Sequence, residues 1–229
     1  MSPTRRCTTV PRRRRKQFFW PLSVESFRAQ ELDSGLLLDG RFSRYFPSDM
    51  VAGEQVRLAG VVAAAPKPGS RVDDKFRRDG SLIRNRYDAR AERGYSLEES
   101  IRTAVVTTKK RYGADAEVFD ARATEYFERA LELMNSQGSA PVIVLMPVQP
   151  SVLAAIKPLG WQRHHAAVLK YLASLRGSYR FELFDFSELS SVGGDPRGYF
   201  DGAHMTAANT RKVIDAVLAR DPQAFGPSE

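Results

Sequence analysis

The chain has 229 residues, of which 42% are hydrophobic and 27% charged, a balance that excludes a disordered protein and is typical of a globular one. A single cysteine, Cys7, excludes an internal disulfide and a cysteine-rich metal site. The formal net charge is +8, but Lys and Arg within residues 5–16 supply seven positive charges. The rest of the chain is therefore nearly neutral, which argues against a broad nucleic-acid-binding face.

The basic residues at the start of the chain predict a solvated tail, which we assign to residues 1–19. Contact of this tail with nucleic acid or anionic lipid is the alternative. No apolar run approaches the ~18 residues of a membrane span. Glu25 and Arg28 interrupt the apolar stretch after the tail, so we predict no export signal, and the compartment stays open.

The segment after the tail carries weak patterns. Residues 23–38 have helical character, and residues 51–65 predict a short helix that ends at a Pro- and Gly-containing breaker. Residues 71–94 are dense in charge and poor in apolar side chains. They predict a solvent-exposed segment that contains a hairpin with its turn at Asp79-Gly80.

From Ser96 onward the pattern becomes regular. Ser96 and Glu99 fit a capping box at the start of a helix. The proline-bounded apolar run at residues 141–147 predicts a strand that is buried on both faces of a parallel sheet. The predicted elements are helices from Ser96 to about Lys110 and over Asp120–Ser136, a strand over 142–146, a helix over Gly160–Leu175, a strand over Phe181–Phe186 and a helix over Ala207–Ala219.

This alternation of helices and strands predicts an α/β fold, a three-layer α/β/α sandwich around a parallel sheet. We assign it to one domain at residues 20–220, followed by a short C-terminal tail at residues 221–229. The last loop of the predicted domain then lies beyond the carboxyl end of a strand, where folds of this kind place their functional sites.

That loop contains Asp201 and His204 in a D-x-x-H pattern, directly before the last helix. A carboxylate at this spacing can accept the imidazole N–H and fix its tautomer, so that the other ring nitrogen is presented to a nucleophile. The pattern predicts a base and its orienting partner. A turn aspartate beside a helix-entry histidine is the alternative.

Three stretches over residues 120–219 follow one another in a characteristic order: P-V-I-V-L-M-P-V-Q-P, F-E-L-F-D-F-S and Y-F-D-G-A-H-M-T-A-A-N. In this order they resemble the SGNH (GDSL-type) hydrolase superfamily. The D-G-x-H ending, followed by small residues and Asn, resembles bacterial SGNH-like proteins of cell-surface and polysaccharide O-acylation systems. The resemblance implies a flavodoxin-like fold, His204 as the base, Asp201 as its partner, no cofactor and an association with the cell envelope.

The resemblance does not extend to the nucleophile. The family carries it as the Ser of Gly-Asp-Ser directly after its first buried strand, and draws oxyanion-hole donors from a Gly and from the Asn of a Gly-x-Asn-Asp block; neither block is present. Leu32-Asp33-Ser34-Gly35 is the nearest string, so Ser34 is the candidate nucleophile, with a turn serine as the alternative. We predict that no serine follows a buried strand. We expect a chain that lacks the family's first strand and nucleophile, or a divergent member with a rebuilt site.

Two further positions carry polar groups near the predicted strands. His164 and His165 are neighbours on a helix and point about 100° apart, so without a third ligand they predict no metal site and a solvated or half-buried role. Asp185 ends a predicted strand, where it either caps the turn at Ser187 or enters the site.

Two classes of function follow. The first is hydrolysis or O-acyl transfer on an acyl ester of a small molecule or glycan, with His204 as the base. The second is an SGNH-like domain without catalytic activity. A basic-tailed nucleic-acid-binding protein is a distant third class. The nearly neutral charge of the chain outside the tail argues against it. For the chain as given we expect little or no esterase activity.

Overall fold

The structure is a computed structural model that describes residues 18–28, 96–112 and 119–226, together with residue 52 and the strand residues 75–76 and 82–83. It divides the chain into two units. The first comprises residues 1–28 and 100–229, and the second comprises residues 29–99. In the part of the chain that the structure describes, no helix combines the length and the apolar character that a membrane crossing requires.

In the second unit, the described residues include two short strands. Strand β2 (Lys75–Phe76) pairs with strand β3 (Leu82–Ile83) in antiparallel fashion. The antiparallel pair predicted around Asp79-Gly80 is therefore confirmed, while the turn itself lies outside the described residues. The helix predicted over residues 51–65 also lies outside them, apart from residue 52, which is helical.

The first unit has a mixed α/β architecture around a parallel sheet. Among the described strands the order is β1 (Phe19–Leu22), β4 (Val142–Leu145) and β5 (Glu182–Asp185), and both pairings are parallel. The register places Leu145 opposite Leu22 on one side and opposite Asp185 on the other. The carboxyl ends of all three strands therefore lie along one edge of the sheet.

Strand β4 is the central strand, and all four of its residues are buried. Ile143 and Leu145 pack in one apolar cluster, and Val142 and Val144 pack in another. Because side chains alternate between the two faces of a strand, both faces of β4 are covered. The prediction of a strand buried on both faces is confirmed.

Strand β1 begins at Phe19, the last residue that the sequence assigns to the tail. It contains Pro21, which has no backbone N–H to donate to a sheet. Among the described strands β1 has a neighbour on one side only. Proline is tolerated at such a position because its missing donor faces away from the ladder.

The described residues form five α-helices in addition to the sheet, and four of them match the predicted helices closely. Asp120 caps the second, since its Oδ1 accepts the backbone N–H groups of Arg122 and Ala123 at 2.9 and 3.0 Å. The unpredicted helix is α3, which Gln149 caps through its side-chain oxygen. The helices are α1 (Leu97–Tyr112), α2 (Ala121–Ser136), α3 (Pro150–Ile156), α4 (Trp161–Leu175) and α5 (Ala207–Arg220).

The helices form two apolar cores. Phe127 and Leu131 of α2 pack with Leu172 of α4 in the cluster that contains Ile143. Val213 and Val217 of α5 are fully buried in the other cluster, as predicted, whereas Ile214 and Leu218 are half-buried. The described residues of this unit also form three 3-10 turns, at Val24–Phe27, Lys157–Leu159 and Leu189–Val192.

Candidate functional site

Residues 198–206 form a narrow loop between the last 3-10 turn and α5. Tyr199 pairs with Met205 in an antiparallel bridge, and the Phe200 N–H donates to the His204 carbonyl at 2.8 Å. The buried Tyr199 hydroxyl donates to the carbonyl of Pro147 at 3.3 Å. Because Pro147 follows β4, this bond places the loop at the carboxyl edge of the sheet.

The Asp201 carboxylate organises the tip of this loop. Its Oδ1 accepts the backbone N–H groups of Ala203 and His204 at 2.8 and 2.7 Å. Its Oδ2 lies 2.9 Å from the Nδ1 atom of His204. The hydrogen bond predicted between the two side chains is confirmed.

This geometry fixes the chemistry of the imidazole. A carboxylate accepts hydrogen bonds and does not donate them when ionised, so in the neutral tautomer that this contact favours, Nδ1 carries the proton and Nε2 carries the lone pair. The side chain of His204 is 46% exposed and that of Asp201 is 20% exposed. The pair is therefore accessible to solvent at one side and held by the protein at the other, as a base and its orienting partner require.

Gly202, between the two dyad residues, lies directly against other elements of the first unit. A Cβ atom added there would lie 2.1 Å from the Cβ of Ala104 in α1 and 3.2 Å from Cγ2 of Val152 in α3. The first distance is far inside van der Waals contact. The D-G-x-H spacing thus requires glycine because of a close approach, which the sequence pattern alone does not reveal.

A second Asp–His pair lies at the carboxyl end of β5. His165 Nε2 is 2.9 Å from Oδ2 of Asp185, and Oδ1 of Asp185 accepts both the N–H and the hydroxyl of Ser187 at 3.0 and 2.6 Å. The predicted turn cap at Ser187 is confirmed. The link to His165 was missed, because 20 residues separate the partners and no local pattern signals it.

The second pair borders an open cavity of about 390 Å³ that is lined by side chains of polar residues. His165 stacks flat on Trp161, with ring centroids 4.7 Å apart and an interplanar angle of 11°. The cavity residues are His165, Asp185, Ser187, Glu188, Ser190 and Ser191.

The two pairs differ in which ring nitrogen the carboxylate binds. Asp201 binds Nδ1 of His204, so that the other ring nitrogen, Nε2, lies at the outer end of the ring. Asp185 binds Nε2 of His165, which leaves Nδ1, the nitrogen next to its own Cβ and backbone. The stack on Trp161 also covers one ring face of His165. The geometry of a general base is therefore better in the His204 pair, and the His165 pair ties α4 to β5.

Burial would raise the pKa of Asp185, but the hydrogen bonds from His165 and Ser187 lower it to about 2. A carboxyl group whose pKa is depressed by folding stabilises the protein above its unfolded pKa, and this stabilisation is lost as the pH falls through the folded pKa. We expect Asp185→Asn to lower the free energy of unfolding at neutral pH by roughly 1–2 kcal/mol. The difference should shrink between about pH 4 and pH 2.

Urea unfolding of both proteins from pH 7 to pH 3 measures this difference. Asp215→Asn, at an exposed position of α5, is the matched control. It should leave the free energy of unfolding close to that of the wild type across this range of pH. A difference between Asp185→Asn and the wild type that stays constant down to pH 3 would contradict the account.

His164 corrects one expectation from the sequence. It is buried instead of solvated or half-buried, and its Nε2 lies 3.1 Å from the carbonyl oxygen of Val24. Burial lowers the pKa of His164. The ring lies beside Tyr112, whose hydroxyl donates to Glu25, and Arg28 lies over the Tyr112 ring at 4.8 Å. His164 thus belongs to a packed polar cluster that joins α1, α4 and the turn after β1.

Ser34, the candidate nucleophile, lies outside the described residues. The structure places Ser23 directly after β1, but β1 is only partly buried, so the prediction that no serine follows a buried strand is not contradicted there. The Oγ of Ser23 lies 3.2 Å from the Oγ of Ser26, which also accepts the Ser23 N–H at 3.0 Å. Ser23 therefore belongs to the cap of the following 3-10 turn.

Within the described ranges, no group of three or more His, Cys, Asp or Glu side chains is placed to hold a metal ion. A scan against protein-family models and searches of curated proteins and solved structures find no match to this chain.

Proposed function

We propose that the chain is an SGNH-like domain in which Asp201 and His204 form the base of an ester hydrolase or O-acyl transferase. The observation that carries the proposal is the 2.9 Å contact between Asp201 Oδ2 and His204 Nδ1 on a loop at the carboxyl edge of a parallel sheet. In this proposal the sheet and its helices belong to a three-layer sandwich of the flavodoxin-like, SGNH type.

His204 would act through Nε2. With the proton of Nδ1 held by Asp201, Nε2 takes the proton of a hydroxyl nucleophile as that nucleophile attacks an ester carbonyl. The imidazolium that forms is stabilised by the Asp201 carboxylate, whose position is fixed by the two backbone N–H groups of Ala203 and His204. The proton then passes to the departing alkoxide. The substrate is an acyl ester of a small molecule or of a glycan.

Because the sequence has no Gly-Asp-Ser block, we expect a low rate of ester hydrolysis. Removing the nucleophile of a serine hydrolase costs about 10⁶ in kcat, because only binding and polarisation remain. We therefore expect the purified chain to hydrolyse a chromogenic acetyl ester slowly, with water as the nucleophile. A domain without catalytic activity is the second candidate, and Ser23 favours it, because the serine that follows β1 takes part in a helix cap.

Initial rates on p-nitrophenyl acetate test the proposal. The slow protein-dependent rate should disappear in His204→Ala and fall in Asp201→Asn, which favours the wrong tautomer. His165→Ala is the matched control, since it removes a histidine from the other Asp–His pair. It should leave the rate unchanged.

Three other outcomes are informative. A rate that survives in His204→Ala would contradict the role of the dyad. A complete absence of protein-dependent hydrolysis would favour the non-catalytic domain. Fast turnover that His204→Ala abolishes would show that a nucleophile is present, and Ser34→Ala and Ser23→Ala would then identify it.

A further inference from the structure

The loop that carries the dyad is held at its base by one buried side chain. Asn209, in the first turn of α5, is 1% exposed. Its Oδ1 accepts the N–H of Asp195 at 2.9 Å, and its Nδ2 donates to the carbonyl oxygens of Asp195 and Gly198 at 2.8 and 3.0 Å. One amide thus binds both ends of the segment that leads into the dyad loop.

The Gly198 carbonyl is the point where this amide meets the dyad loop. The same oxygen also accepts the N–H and the hydroxyl of Thr206, at 3.0 and 3.2 Å. Gly198 and Thr206 are the two ends of the loop, so Asn209 holds the point at which the loop closes. A Cβ added at Gly198 would lie 2.6 Å from Nδ2 of Asn209, so the packing leaves no room for the segment to shift toward the amide.

We infer that Asn209 is a positioning residue for the Asp201–His204 dyad, an inference that rests on the proposed function. The amide fixes the Gly198 carbonyl, which fixes the closing pair of the loop. The Tyr199–Met205 bridge then transmits this geometry to Phe200 and His204, whose backbone groups bond at 2.8 Å. A contiguous hydrogen-bonded path of this kind is able to couple a remote residue to a site.

The variant that tests this positioning role is Asn209→Asp. It keeps the size of the side chain but replaces two donors by a carboxylate oxygen, which would face the carbonyls of Asp195 and Gly198 and repel them. We expect the base of the loop to open and the contact of Asp201 with His204 Nδ1 to weaken. The ratio of the Nδ1–H to the Nε2–H tautomer of His204 should fall by about three- to tenfold.

Asn135→Asp is a closely matched control. Asn135 makes the same three kinds of bond at the end of α2: its Oδ1 accepts the Arg180 N–H at 2.7 Å, and its Nδ2 donates to the carbonyls of Ser139 and Arg180 at 3.0 and 2.9 Å. It does not contact the dyad loop through any of these bonds. Asn135→Asp should therefore lower the stability while leaving the His204 tautomer as in the wild type.

The experiment records the side-chain nitrogen NMR signals of His204 and the urea midpoint in the wild type, Asn209→Asp and Asn135→Asp. A tautomer shift in Asn209→Asp alone supports the positioning role. An unchanged tautomer in Asn209→Asp, with a loss of stability like that of Asn135→Asp, would overturn it and leave the dyad intact. A wild type that lacks the Nδ1–H tautomer would overturn the dyad itself, which is a different result.

Discussion

Replacing Ile143 by aspartate is expected to prevent the first unit from folding. Ile143 is 0% exposed in the central strand, and its side chain packs in the larger of the two apolar clusters. A carboxylate at this position would be buried without a partner, a cost above about 4 kcal/mol and thus comparable with the whole stability of a domain. Circular dichroism should show the loss of most of the native signal.

Two substitutions separate this effect from general sensitivity to mutation. Leu133→Asp makes a similar chemical change on α2, where the side chain is 60% exposed, and should alter the free energy of unfolding by no more than about 0.5 kcal/mol. Ile143→Val keeps the position apolar and should cost about 0.5–1.5 kcal/mol. A cooperatively folded Ile143→Asp protein would contradict the central, doubly covered position of β4.

The second large effect is expected at Gly202. The Cβ introduced by Gly202→Ala would lie 2.1 Å from the Cβ of Ala104, so either the loop or α1 must move. Overpacking of this kind costs about 1–3 kcal/mol. Because Gly202 lies between Asp201 and His204, the shift should also break the contact between Asp201 Oδ2 and His204 Nδ1, and with it most of the dyad-dependent hydrolysis.

A double-mutant cycle tests whether the contact with Ala104 causes the loss of stability in Gly202→Ala. Ala104→Gly removes the atom that the new Cβ would meet, so the double variant should recover stability relative to the sum of the two single changes. Gly177→Ala is the matched control, because nothing lies within 4 Å of a Cβ at that glycine. Strict additivity at Gly202 and Ala104 would show that the close approach does not limit the loop.

The sequence predicts the dyad because its chemistry is local. Asp201 and His204 are three residues apart, and the same carboxylate that binds the ring also accepts the backbone N–H groups of the turn. Spacing of this kind is visible in a single sequence. The pair of His165 and Asp185 depends on the packing of α4 against β5, so no spacing rule could predict it.

The fold likewise contains some elements that a local sequence pattern signals and others that it does not. Strand β4 is signalled by an uninterrupted apolar run between prolines, and the caps at Ser96 and Asp120 mark the starts of their helices. Helix α3 has only seven residues and begins directly after a Pro-containing loop, so its pattern is too short for helical periodicity to emerge. Strand β1 has four residues and contains a proline, which single-sequence reasoning counts against a strand.

The most direct measurement of the central claim is the neutral tautomer of each of the three histidines, read from side-chain nitrogen NMR signals at alkaline pH. The hydrogen bonds predict opposite tautomers for the two Asp–His pairs: Nδ1–H for His204 and Nε2–H for His165. His164 should also be Nε2–H, since that nitrogen faces the carbonyl of Val24. Asp201→Ala should remove the preference at His204 alone. If His204 instead adopts the Nε2–H tautomer in the wild type, the nitrogen needed to accept a proton is blocked, and the proposed base is contradicted.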